Sequence, residues 1–153
     1  MITSLHLMRW PIPLRSVSGF NLNIRAAYMV AGMTGSGKTA WVQSLLTQAY
    51  RMINLPPERI VRCYSQWQSA YMDLLVTVPN IEFVKGIPTA LEQDSYFNVN
   101  KRNLIVLDDQ MIDAGKDQRI VNLFTRGSHH RNLSAYTSYR TYSIREKAVA
   151  ALV

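Results

Sequence analysis

The chain has 153 residues, with 17 basic and 10 acidic side chains and a formal net charge of +7. This length is enough for one α/β domain with a hydrophobic core. The excess of basic over acidic side chains favours a polyanionic partner such as DNA over a membrane surface. The single cysteine, Cys63, excludes an internal disulfide and indicates a reducing compartment. Because no apolar run approaches the length of a membrane span and no signal peptide is evident, we expect an intracellular protein of the cytoplasm or nucleus.

The first third of the chain predicts a strand, a glycine-rich loop and a helix. Residues 1–22 are expected to form an extended lead-in. The apolar run at 26–31 predicts a buried strand, and residues 38–52 predict a helix. Between them, Gly32–Thr39 reads GMTGSGKT, which matches the pattern G-x-x-x-x-G-K-[ST] of a phosphate-binding loop.

The residue types of this loop explain how it would hold phosphates. Glycines let the backbone curl so that successive N–H groups point at phosphate oxygens, and the following helix start adds its own free N–H groups. Lys38 can reach the β- and γ-phosphates, and the Thr39 hydroxyl can ligate Mg²⁺. The residues expected to bind the nucleotide are Gly32, Thr34, Gly35, Ser36, Gly37, Lys38 and Thr39. The loop therefore predicts binding of ATP with Mg²⁺.

Strands and helices alternate through the rest of the chain. The predicted elements are a strand at 58–64, a helix at 67–76, a strand at 81–84, a helix opened by Pro88, a strand at 103–108 and a helix at 117–126. This alternation predicts an α/β fold in which a mainly parallel sheet carries helices on both faces. Together with the loop, it indicates a P-loop NTPase core over residues 23–134.

The strand at 103–108 ends in two carboxylates, Asp108 and Asp109. In P-loop enzymes the strand with the metal acid lies close to the loop, so its carboxyl end meets the Mg²⁺. We expect Asp108 to contact the metal through water and Asp109 to orient or deprotonate the attacking water. A paired acid favours hydrolysis over transfer to a small molecule. The alternative is a buried strand followed by an Asp-rich turn.

Three blocks of the sequence together resemble the DNA-packaging ATPases of the FtsK–HerA superfamily. They are Gly32–Thr39, the pair Asp108–Asp109 and the stretch LFTRGSHHRNLS at 123–134. The branch most similar is the poxvirus-type packaging ATPase found in Polinton-type elements and adintovirus-like DNA viruses. The resemblance implies an ATP-driven motor that moves double-stranded DNA into a capsid. It further implies a ring of identical subunits, a capsid component as partner, and association with the virion if the gene is viral.

Two further groups of residues have candidate roles in such an ATPase. Arg126 or Arg131 is a candidate arginine finger that reaches the γ-phosphate of a neighbouring subunit, and a plain surface arginine is the alternative for each. The aromatic residues Tyr64, Trp67 and Tyr71 match the branch, and we interpret them as core or inter-subunit packing rather than as a platform for bases.

The chain departs from the family pattern after Ser134. The family continues with an apolar strand that ends in a polar Gln-Asn sensor, whereas residues 135–147 are polar and lack that pair. A central buried strand is expected to be rich in Val, Ile and Leu, so we interpret 135–153 as an atypical tail and expect the C-terminal strands of the sheet to be missing. A truncation or a one-base shift near codon 134 would account for this.

Three functions are compatible with these features. The first is an ATP-hydrolysing DNA translocase, and the second is a nucleotide-binding remnant of such an enzyme without motor activity. The third is a small P-loop kinase, which is disfavoured because the chain has no Arg-rich lid segment.

Overall fold

A computed structural model describes residues 5–9, 27–32, 35, 37–107, 117–124 and 131–140. Within these ranges the elements, in chain order, are β1 (Leu5–Arg9), β2 (Ala27–Gly32), α1 (Lys38–Thr47), α2 (Ala49–Met52), β3 (Arg59–Tyr64), α3 (Ala70–Thr77), β4 (Ile81–Lys85), β5 (Asn103–Leu107), α4 (Gln118–Asn122) and β6 (Leu133–Arg140). None of the helices in the described ranges is long and apolar enough to cross a membrane.

The strands form one sheet of six with the order β1-β2-β6-β5-β3-β4, and every pair of neighbours is parallel. Parallel neighbours need a crossover connection, and α3 lies in the connection from β3 to β4 and α4 in the connection from β5 to β6. One core cluster joins α1, α2 and α3 to one face of the sheet, and a second joins α4 and the turns near Leu91 and Phe97 to the other face. The predicted α/β architecture, a parallel sheet with helices on both faces, is therefore confirmed.

Local sequence explains most of the elements. All five residues of β5 are buried, as expected for a strand covered on both faces. The predicted helix at 38–52 is divided at Gln48, whose backbone φ of −108° and ψ of 17° end α1 and begin α2.

Cys63 is fully buried in β3, where burial raises the pKa of its thiol to about 12. The thiol is therefore a core group without reactive thiolate at neutral pH.

The helix predicted to open at Pro88 is wrong. The chain instead forms successive turns, with backbone hydrogen bonds from Leu91 N to Pro88 O (3.1 Å), from Gln93 N to Ala90 O (2.9 Å) and from Tyr96 N to Gln93 O (3.0 Å). A helix is not needed to cover the sheet here, because Leu91 and Phe97 are buried from turn positions.

The expectation that the sheet lacks a strand after Ser134 is also wrong. Residues 133–140 form β6, which pairs with β2 on one side and with β5 on the other. The polar residues are tolerated because the strand alternates: Leu133 and Ala135 enter one core, and Tyr136 enters the other. The expected boundary between core and tail thus falls inside a strand, and residues 141–153 lie outside the described residues.

The position of β6 leads to a testable prediction for Ala135, which is 0% exposed and is in register with Ala27 of β2 and Ile105 of β5. Ala135→Glu buries a charge without a partner in the middle of the sheet and should cost at least about 3 kcal/mol of unfolding free energy. The exposed Ala40→Glu is the control and should change it by less than about 1 kcal/mol. Urea unfolding measures both, and equal midpoints would contradict the central placement of β6.

Candidate functional site

The glycine-rich loop connects the end of β2 to the start of α1. β2 ends at Gly32, and α1 begins at Lys38. Gly35 and Gly37 have positive φ angles of 75° and 87°, in the left-handed region that is strained for other residues. Gly37 is also the N-cap of α1. The glycines at these two positions therefore allow the sharp change of direction between strand and helix.

Lys38 lies in the first turn of α1 and is only 4% exposed. Lys38 is engaged in an interaction within the protein. Thr39 follows it at a partly buried position, and the first turn of α1 contains no acidic residue. The N–H groups at this helix start, together with the lysine, form an electropositive position that suits phosphate oxygens.

The sheet brings three strand ends together beside this loop. The carboxyl ends of parallel strands lie at one edge, and here β6 separates β2 from β5. Gly32 is in register with Arg140, and Leu107 is in register with Thr137. The residues that directly follow Leu107 are Asp108 and Asp109, so the chain leads from β5 to the predicted acids at the same edge as the loop.

Several predicted site residues lie outside the described part of the chain. They are Thr34 and Ser36 in the loop, Asp108 and Asp109 after β5, and Arg126. Their roles remain predictions. Gly32, Gly35, Gly37, Lys38 and Thr39 are described, and they occupy the strand end, turn and helix start expected of them.

Sequence reasoning missed the contribution of β6 to this edge. Tyr136 on β6 stacks on Trp41 of α1, with ring centroids 5.5 Å apart and an angle of 25° between the planes. Ser138, two residues further along, is buried. The signal that could have revealed the strand is its content of Tyr and Thr, which favour β-strands independently of hydrophobicity.

Four aromatic residues, contributed by β3, β4, α3 and the loop between β3 and α3, pack among themselves. Tyr64, Trp67, Tyr71 and Phe83 have ring centroids between 5.1 and 6.4 Å apart. Tyr71 is fully buried, whereas Trp67 is nearly half exposed. The interpretation of these rings as core packing is confirmed for Tyr71.

Arg131 lies at the amino end of β6, at the edge of the sheet opposite to the loop. Its guanidinium donates hydrogen bonds to Leu91 O (2.7 Å), to Glu92 O (2.8 Å) and to Asp94 Oδ1 (3.0 Å). These bonds fasten the turns after β4 to the start of β6. The role of Arg131 as an arginine finger requires a neighbouring subunit and stays a prediction.

A parallel sheet with a glycine-rich loop between β2 and α1 at its carboxyl edge defines the α/β P-loop NTPase fold. No protein-family model and no curated protein sequence matches the chain. The structure is similar to the crystal structure of the flagellar accessory protein FlaH from Methanocaldococcus jannaschii, with a TM-score of 0.60 and 9% sequence identity, over 90% of this chain and 70% of that one. At this identity the likeness concerns the fold alone, and the resemblance to DNA-packaging ATPases stays a prediction.

The contacts of Arg131 predict a structural effect of its removal. Arg131→Ala leaves the carbonyl groups of Leu91 and Glu92 without their charged donor and should lower the unfolding free energy by about 2–3 kcal/mol. Arg51→Ala is the control, because Arg51 is exposed on α2, and its effect should stay within about 0.5 kcal/mol. Urea unfolding is the measurement. Unchanged stability of Arg131→Ala, combined with lost ATP turnover, would instead favour the arginine finger.

Proposed function

We propose that the protein binds ATP with Mg²⁺ at the loop Gly32–Thr39 and hydrolyses it. The observation that carries the proposal is the buried Lys38 at the start of α1, directly after Gly37 with its positive φ angle. A buried lysine at the start of a helix suits an anion of high charge. The triphosphate of a nucleotide is the ligand that this loop pattern is known to take.

Each residue of the site has a proposed part in the reaction. Lys38 neutralises charge on the β- and γ-phosphates, and the backbone N–H groups of the loop fix their position. Mg²⁺, held by Thr39 and by Asp108 through water, would supply further neutralisation of the phosphate oxygens. Asp109 orients the attacking water and accepts its proton. Hydrolysis then requires that these groups meet at the carboxyl edge of the sheet.

The continuous sheet supports a hydrolysing enzyme over a remnant that only binds nucleotide. A remnant that lacks the central strand could not hold the acid-bearing strand at a fixed distance from the loop. Here β6 fills that position and pairs with both neighbours. The opposing observation is that β6 ends in Tyr139 and Arg140 rather than in a Gln-Asn pair. Turnover, and not binding, therefore decides between the two functions.

We further propose that ATP hydrolysis drives a motor that moves double-stranded DNA. It is supported by the resemblance at 123–134 to packaging ATPases and by the net charge of +7. A ring of identical subunits and a capsid component are the partners that this proposal includes. The proposed setting is the cytoplasm or nucleus, or the virion if the gene is viral.

Two substitutions separate binding from turnover. Lys38→Ala should abolish ATP binding, because no other group replaces the buried ammonium at the phosphates. Asp109→Asn should keep the affinity for ATP and lower turnover by about 100-fold or more, since it removes the acceptor for the water proton. Isothermal titration calorimetry measures binding, and phosphate release measures turnover. Equal turnover in wild type and Asp109→Asn would exclude the proposed role of Asp109. If the wild type binds ATP but does not hydrolyse it, the protein is a nucleotide-binding remnant rather than an ATPase.

The motor predicts that duplex DNA stimulates the ATPase. Turnover by the wild type should rise by about tenfold with DNA that is long enough to thread a ring, and the effect should weaken as salt is raised. Heparin is the control polyanion and should not stimulate. Stimulation by both polymers to the same extent would indicate a charge effect without translocation, and no stimulation would leave an ATPase of another kind.

A further inference from the structure

A buried pair of rings joins the helix of the loop to the central strand. The indole of Trp41 on α1 stacks on the phenol ring of Tyr136 on β6 at a centroid distance of 5.5 Å. The two side chains are 0% and 1% exposed. Because Trp41 follows Lys38 by three residues, the stack lies about one helical turn from the proposed phosphate site.

Each ring carries a polar atom for which the described residues offer no hydrogen-bond partner. These atoms are Nε1 of Trp41 and the hydroxyl oxygen of Tyr136. A buried hydroxyl without a partner is unfavourable, since it has lost its water contacts and nothing replaces them. Burial also raises the pKa of Tyr136 well above its ordinary value, so the group remains a neutral hydroxyl that can donate. Phenylalanine would fill the same space without this cost.

The stack joins two elements that adjoin the loop: α1 begins where the loop ends, and β6 ends beside the first residue of the loop. The backbone N of Trp41 donates to the carbonyl oxygen of Gly37 at 2.9 Å, so Trp41 is tied directly to the last glycine of the loop. On the other side, the strand that carries Tyr136 reaches Arg140, which is in register with Gly32. A shift of α1 when phosphates bind would therefore change the surroundings of the Tyr136 hydroxyl.

We propose that this stack couples the loop to the central strand, and that the Tyr136 hydroxyl gains a hydrogen-bond partner only in the nucleotide-bound protein. The inference rests on the proposed nucleotide binding. A ligand shifts a conformational equilibrium only through its differential interaction with the two states. A hydroxyl that is unsatisfied in one state and bonded in the other adds to that difference. Tyr136 is thus a positioning residue that acts through α1 without contacting the nucleotide.

The first experiment compares Tyr136→Phe with a matched control, Tyr28→Phe, in the full chain. Tyr28 is the register partner of Tyr136 on β2, is 4% exposed and is engaged in an interaction of its own. Without nucleotide, Tyr136→Phe should raise the melting temperature by about 2–6 °C, because it removes an unsatisfied group. Tyr28→Phe should give no such gain. A lower melting temperature for Tyr136→Phe overturns the inference, since the hydroxyl would then be bonded already.

The second arm repeats the comparison with ATP and Mg²⁺, measuring affinity by calorimetry. Tyr136→Phe should bind ATP about fivefold more weakly than wild type, whereas Tyr28→Phe should bind as wild type does. Equal affinities for Tyr136→Phe and wild type overturn the coupling. A wild type that binds no ATP overturns the proposed function and the coupling with it. The melts without nucleotide distinguish that failure from a wrong assignment of the hydroxyl.

A fluorescence measurement keeps the inference testable if Tyr136→Phe does not fold. The chain has 3 tryptophans, and replacing Trp10 and Trp67 by Phe leaves Trp41 as the reporter. The emission of Trp41 should change in intensity or wavelength on addition of ATP with Mg²⁺, because its stacking partner changes its hydrogen bonding. An unchanged emission in a protein that binds ATP by calorimetry overturns the inference.

Discussion

Parallel pairing of β6 with β2 on one side and β5 on the other fixes the distance between the phosphate-binding loop and the strand that leads to Asp108. Neighbouring strands lie about 4.8 Å apart, so two strands separated by one other are about 10 Å apart. That spacing separates the end of β2, where the loop begins, from the end of β5, which Asp108 follows in the sequence. Without β6, β2 and β5 would either pair directly or separate, and the two predicted motifs would lose their relation.

Two basic side chains are buried on the side of the sheet covered by α1 and α3. Lys38 and Arg62 are buried there, and the guanidinium carbon of Arg62 lies 4.6 Å from the ring centroid of Tyr71. Cation–π contact of this kind partly compensates a buried charge. Buried charges repel one another and attract anions strongly because the surroundings screen them little.

The sequence allowed the loop and most of the sheet to be predicted, because those elements carry local signals. β5 is apolar throughout, and the glycines of the loop stand at fixed spacing between a strand and a helix. β6 could not be predicted from hydrophobicity, because its environment comes from distant residues: Tyr136 is accommodated by Trp41 on α1. The turns after Pro88 resemble a helix start in sequence, but their backbone hydrogen bonds join residues three apart, and Leu91 and Phe97 are buried from these turn positions. The structures of β6 and of the turns after Pro88 are therefore determined by tertiary packing rather than by local sequence.

The two edges of the sheet are held in different ways, which bears on how the site could respond to a ligand. At the amino edge, the Asn103 side-chain nitrogen donates to the carbonyl oxygens of Asn98, Lys101 and Arg131 at 2.9, 2.8 and 3.2 Å. Arg131 in turn bonds to the turn at Leu91. These side-chain bonds tie the starts of β5 and β6 to the preceding turns, so a displacement of one strand start would break several of them.

Further along β6, the Trp41–Tyr136 ring stack joins α1 to the strand, and both of its polar atoms lack a partner among the described residues. Aromatic contacts are less directional than hydrogen bonds, because both offset-stacked and edge-to-face geometries are favourable. The fold thus combines side-chain hydrogen bonds at the amino edge with an aromatic contact between α1 and β6.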